Sequence, residues 1–146
     1  MPKKRTPSDS RYFHYYNANP KSKNTCDCVV RALCGVLPEK TYEQIMRELL
    51  EVSLKCGYMI NDKKCYGKYL EQNGFIKFKQ PRKVDNTKYT GREFCIKLSN
   101  EGNIKNIFAH LGGHHVVAIV NNKVNDTWDS TNGRIGNFYK RYSKIS

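Results

Sequence analysis

The stretch from His115 to Trp128 constrains the fold of this chain more than any other. His115-Val116-Val117-Ala118-Ile119-Val120 is apolar and β-branched, and Lys123-Val124-Asn125-Asp126-Thr127-Trp128 follows after two asparagines. Asparagine tolerates positive φ, so Asn121-Asn122 can supply both central residues of a two-residue hairpin turn. Such a loop sets Val120 opposite Lys123, His115 opposite Trp128 and Val117 opposite Asp126. Alternate residues of a strand share a face, so His115, Val117, Asp126 and Trp128 lie together, with Asp126 the diagonal neighbour of His115. A three-residue loop would instead set Asp129 directly across from His115. Either register gives the imidazole a carboxylate, which holds its tautomer and stabilises the imidazolium. His114 faces the other way in both.

A base with an orienting acid needs a nucleophile, and the stretch Cys26-Asp27-Cys28-Val29-Val30-Arg31-Ala32-Leu33 offers one. Val29, Val30, Leu33 and Val36 recur at helical spacing, which predicts a helix over about Asp27 to Leu37, ended by Pro38. Cys28 then sits in the first turn, where unpaired N–H groups and the helix dipole favour the thiolate. A single cysteine there is more often one more small core residue, because free Cys is among the most buried residue types. Cysteine, histidine and acid in this order are harder to read as packing alone. The turn-rich loop Asn17 to Asn24 leads into the cysteine, and its side-chain amides are candidate oxyanion donors.

The remaining elements follow from local signals. Residues 1–10 carry no periodicity and read as a disordered basic tail, with a single domain over 11–146. Arg11 to Tyr16 is a short strand or a packed arm. A second helix starts at Thr41 and ends at Gly57, and a third is capped by Asn61 or Asp62 and stopped by Gly74. Phe75 to Lys79 alternates as a half-buried strand does. Thr90-Gly91-Arg92-Glu93 has the form of a capping box, which predicts a short helix over Phe94 to Leu98. Ile104, Ile107, Phe108 and Leu111 suggest a strand before the Gly112-Gly113 turn, and Phe138, Tyr139 and Tyr142 a last one. Helices first and a mainly antiparallel sheet afterwards make an α+β layout.

Composition narrows the class. A length of 146 residues suits one domain with a sizeable core. No apolar run approaches a membrane span and no apolar segment follows the basic start, so no membrane association is expected and the expected site of action is the cytosol. Cys26-x-Cys28 with Cys34 lacks the usual zinc knuckle, and Cys56, Cys65 and Cys95 are scattered, so reduced thiols with no metal and no cofactor are expected. Lys and Arg number 26 against 13 Asp and Glu, a net charge of +13. That charge attracts nucleic acid or an acidic protein without naming either.

The chain resembles the small papain-like cysteine peptidase-type proteins of bacteriophages and bacteria. The resemblance rests on Asp27-Cys28 with Arg31-Ala32, the His-x-x-Ala strand at His115 to Ala118, and Asp126-Thr127-Trp128-Asp129-Ser130. Asn19-Pro20-Lys21 before the cysteine and the Tyr-Leu-x-x-x-Gly segment at Tyr69 to Gly74 add to it, so that it spans about Tyr15 to Tyr139. It implies a papain-like fold, with the nucleophile helix packed on an antiparallel sheet. It also implies a thiol hydrolase acting on a protein, peptide or other amide or isopeptide substrate. Cys28, His115 and Asp126 would be catalytic, with Asp126 in place of the orienting Asn, Asp129 as the alternative acid, and Trp128 shielding the pair from water. Papain-like peptidases carry Gln before the cysteine where this chain has Ser22. Asn19, or alternatively Asn24, is then the candidate oxyanion donor beside the Cys28 backbone N–H. The competing expectation is a non-catalytic basic protein on the same fold that binds nucleic acid or an acidic host protein. Substrate identity and oligomeric state are not written in these residues.

Overall fold

The computed structural model describes residues 8–23, 25–102 and 106–141. Its strands are β1 (Phe13–Tyr15), β2 (Phe75–Phe78), β3 (Ile107–Leu111), β4 (His115–Val120), β5 (Lys123–Asp126) and β6 (Ile135–Arg141). Its helices are α1 (Cys28–Val36), α2 (Tyr42–Cys56), α3 (Lys63–Gln72) and α4 (Gly91–Asn100). The architecture is α+β. The strands form one sheet in the order β1-β5-β4-β3-β6-β2. Four of its five pairings are antiparallel, and β1 lies parallel to β5.

Local signals set the helix ends. Thr41 accepts from the Gln44 N–H and starts α2, and Gly57, at φ 82°, ends it in the left-handed conformation. Asp62 caps α3 through the Lys64 N–H. The Thr90–Glu93 capping box forms in full, so α4 begins at Gly91 and runs to Asn100, longer than the expected Phe94 to Leu98.

Two apolar cores sandwich the sheet. Phe108, Val116, Ala118 and Tyr139 face α1, α2 and α3, while Ala109, Leu111, Val117, Ile119 and Phe138 face α4. The central strands are therefore buried on both sides, which is why β4 reads as an unbroken apolar run rather than an alternating one. α1 is buried nearly all round, as a helix central to a core must be. It lies hard against β4: a Cβ on Gly35 would stand 2.5 Å from the Ala118 Cβ.

The layout differs from the expectation in one respect. The sheet is not confined to the C-terminal half, because β1 adds at one edge and β2 at the other. β2 is drawn in by Phe75, which is buried, and by Phe78, whose ring stacks on Phe138 at 5.2 Å. The segment expected as tail is anchored at its end, where Asp9 bonds His14 and accepts from the Tyr15 N–H. Residues 1–7, Ile104 and Tyr142 lie outside the described residues. No helix among the described residues is long and apolar enough to cross a membrane.

Candidate active site

Cys28 is the first residue of α1, and Asp27 before it occupies the N-cap. Aspartate at that position ordinarily accepts from a first-turn N–H. Asp27 makes no such bond. Its carboxylate turns inward, where Oδ2 accepts from the Tyr42 hydroxyl at 2.8 Å and from Asn19 Nδ2 at 3.1 Å. Oδ1 accepts no hydrogen bond among the described residues and faces Arg31 Nη1 at 3.4 Å. The Asp27 side chain thus leaves the N–H groups of the first turn free for the Cys28 sulfur and for whatever stands before it.

β4 brings the imidazole. The Cys28 thiol stands against the His115 ring and the Val116 backbone N–H, both of which favour its thiolate. Asn121 and Asn122 have φ values of 51° and 63°, so the two-residue turn forms and Val120 pairs with Lys123. That register carries Asp126 to His115, with Nε2 to Oδ2 at 2.6 Å. The sulfur is left to Nδ1. Asp126 is only 4% exposed and is held on both oxygens: Ser130 Oγ donates to Oδ2 at 2.6 Å and the Thr127 N–H to Oδ1 at 2.8 Å. The Trp128 ring lies 5.4 Å from the His115 ring, tilted by 31°. It covers one side of the imidazole while staying 53% exposed itself.

These contacts draw the two titrations together from their ordinary values. At Cys28 burial raises the thiol, but the His115 hydrogen bond, the Val116 N–H and the charges of His115 and Arg31 outweigh it. The net direction is down. At His115 burial disfavours the imidazolium, yet the bonds to Asp126 and Cys28 and their charges raise it to about 9. Burial drives other cysteines the opposite way from Cys28, Cys34 and Cys65 up to about 11 and Cys95 up to about 12. A thiol shifted towards its thiolate beside an imidazole shifted towards its imidazolium is suited to attack on a carbonyl carbon.

The other expected site residues fall elsewhere. Asp129 is exposed and accepts from the N–H and hydroxyl of Thr131, at 3.1 and 2.6 Å, in a turn of its own. Asn19 does not line the cleft before Cys28. Its Nδ2 serves Asp27 and its Oδ1 accepts from the Lys21 N–H, so the amide organises the helix start instead of an oxyanion. Asn24 lies outside the described residues.

The cleft has a volume of about 840 Å³, and its walls include Cys28, Arg31, Tyr66, His110, His115 and Trp128. Two of these went unread in the sequence. Tyr66, on the inward face of α3, shares a hydrogen bond of 3.0 Å with His110 Nε2. His110 is the β3 partner of Val116 and lines the same cleft as Cys28, so the Tyr66–His110 pair stands beside that thiol. Burial, with Lys77 and Lys63 nearby, lowers the His110 imidazolium and keeps that ring neutral. Its position two residues from buried Phe108 on one strand face was the available signal. Ser130 and Arg31 stand in the motifs that carry the resemblance, but no sequence signal assigned either a role. Among the described residues no group of three or more His, Cys, Asp or Glu is arranged to hold a metal ion. Comparison of the chain with protein-family models, with curated proteins and with solved structures returned no match.

Proposed function

We propose that the chain is a thiol hydrolase of the cysteine-peptidase kind, related in layout to the papain-like peptidases, with Cys28 as nucleophile, His115 as base and then acid, and Asp126 as orienting group. The observation that carries this reading is the 2.6 Å bond from His115 Nε2 to a buried, fully engaged Asp126, with Cys28 beside the same ring. The start of α1 at Cys28, its packing against β4 and the chain order Cys, His, Asp support the papain-like relationship.

In the reaction, His115 Nδ1 takes the thiol proton and the sulfur attacks the carbonyl carbon of an amide or ester. The carbonyl π pair moves to oxygen, where the Cys28 N–H of the uncapped first turn donates to the oxyanion. As the carbonyl re-forms, the C–N or C–O bond breaks and His115 delivers its proton to the leaving group. Water then attacks the thioester carbon while His115 removes a water proton. The sulfur departs as thiolate and the acid is released.

A p-nitrophenyl ester tests this without knowledge of the natural substrate. Expected are a burst of p-nitrophenolate, a thioester on Cys28 by mass spectrometry, and loss of turnover by about 10³-fold in Cys28→Ser and His115→Ala. Hydrolysis unchanged in Cys28→Ser would contradict the reading.

A further inference from the structure

The cleft before Cys28 does not end at Tyr66. Lys63 and His110 are shared walls between it and a second depression of about 610 Å³, which continues between α3, β2 and β6. We propose that this trough is the part of the substrate site that holds an acidic polypeptide segment, on either side of the bond presented to Cys28. The proposal rests on the acyl-transfer reading for its substrate, though its own evidence is the charge and shape of the trough.

Lys63, Lys64 and Lys68 line it from α3, and Lys77 faces them from β2, against one carboxylate, Glu71. All four lysines are exposed, and among the described residues none forms an ion pair with a carboxylate. Lys64 reaches only the Tyr58 hydroxyl at 3.4 Å, with its ammonium 4.7 Å from that ring. Other cations, Lys55 and Lys88 among them, also form no ion pair among the described residues; what sets these four apart is that they line one trough.

Helix physics makes the placement costlier still. Lys63 and Lys64 occupy the first turn of α3, where the dipole disfavours cations and no acidic residue is present. Lys64 and Lys68 repel each other at i,i+4. Asp62, the cap, is committed to the Lys64 N–H at 2.8 Å. Local preference is therefore broken at three neighbouring positions of one exposed helix face. Such breaks collect where a surface serves a ligand.

The chemistry favours a polypeptide over a nucleic acid. Single-stranded nucleic acid is gripped by exposed aromatic rings on which bases stack, alternating with cations. Of the two rings lining the trough, Tyr139 is 4% exposed and His110 is committed to the Tyr66 hydroxyl. The trough also opens onto a site built to attack a carbonyl carbon. Glycine at 67 keeps its floor low, since a Cβ there would meet the Tyr139 hydroxyl at 3.1 Å. Extended backbone passing over this floor would set Glu or Asp side chains against the four ammonium groups.

The test measures binding to full-length Cys28→Ser protein by fluorescence anisotropy across a range of salt concentrations. Three probes are used: a short peptide rich in Glu and Asp, a matched peptide rich in Lys, and a single-stranded oligonucleotide. Lys68→Glu/Lys77→Glu reverses the trough, and Lys55→Glu/Lys88→Glu makes the same change of net charge at exposed sites away from it. The acidic peptide is expected to bind, and the trough pair to weaken it by about tenfold or more, while the distant pair changes it by less than about twofold. The Lys-rich peptide is expected not to bind. Absence of acidic-peptide binding, equal weakening by the two pairs, or an oligonucleotide that binds more tightly and is lost with the trough pair would each overturn the proposal. The alkylation rate of Cys28 in both pairs built on the Cys28-containing protein separates the two readings. A reactive Cys28 without trough binding sinks the trough alone, and trough binding with an inert Cys28 sinks the hydrolase alone.

Discussion

At the scale of single residues, the site depends on two aspartates with opposite tasks. Asp27 takes its carboxylate away from the helix start and into contact with Tyr42, Asn19 and Arg31. Asp126 brings its carboxylate to His115 and is clamped by Ser130 and the Thr127 N–H. Because burial alone would lower the imidazolium, the rise of His115 to about 9 has to come from Asp126 and Cys28. NMR titration of the ring should therefore find it charged well past neutral pH, and Asp126→Asn should return it towards the ordinary value near 6.5. The sign for stability follows from linkage. A folded-state value raised above the unfolded one stabilises fully below about pH 6.5 and loses that contribution as pH rises through about 9. The Asp126→Asn protein should lack this fall in its urea midpoint. A His115 titration that Asp126→Asn leaves unmoved would break the link between the two residues.

At the scale of elements, the approach of α1 to β4 sets the distance from sulfur to imidazole. Gly35 makes that approach possible, because any Cβ would fall 2.5 Å from the Ala118 Cβ. Two effects compete in Gly35→Ala. Alanine favours the helix by about 1 kcal/mol, while overpacking a helix against a buried strand costs about 1–3 kcal/mol. Both colliding atoms are anchored to backbone, so the clash has no side-chain escape and should prevail. Urea unfolding should register a net loss of about 1 kcal/mol, and Cys28 should alkylate more slowly as α1 is pushed off β4. A more stable protein with unchanged Cys28 reactivity would show that the two elements tolerate separation.

Elements signalled by neighbouring residues were legible in the sequence. Thr90 with Glu93, Thr41 with Gly57, and Asn121 with Asn122 each announce an end or a turn within a few positions. The hairpin therefore put a carboxylate beside His115, with Asp126 and Asp129 as the alternatives that the length of the loop decides between. The Tyr66–His110 pair was not legible, because it joins a helix to a strand across 44 positions. The inward turn of Asp27 was hidden for the same reason, since Tyr42 and Arg31 become its partners only once α1 packs. Neither periodicity nor capping chemistry predicts which buried polar groups will meet.

At the scale of the whole molecule, the sheet gathers strands from the entire chain. β1 and β2 reach the two edges by non-local pairing, which no local signal specifies. The chain carries a net charge of +13. Several cations are paired with glutamates at the surface, while the unpaired lysines of α3 and β2 collect beside the cleft. The proposed hydrolase, however, rests on one sulfur atom. Its most direct test is the rate of cysteine alkylation against pH, read residue by residue by mass spectrometry, in the native protein and in His115→Ala. Cys28 is expected to react rapidly below the ordinary thiol range while buried Cys34, Cys65 and Cys95 stay inert, and His115→Ala to move the Cys28 profile to higher pH. A Cys28 as unreactive as those three, or one indifferent to His115, would contradict it.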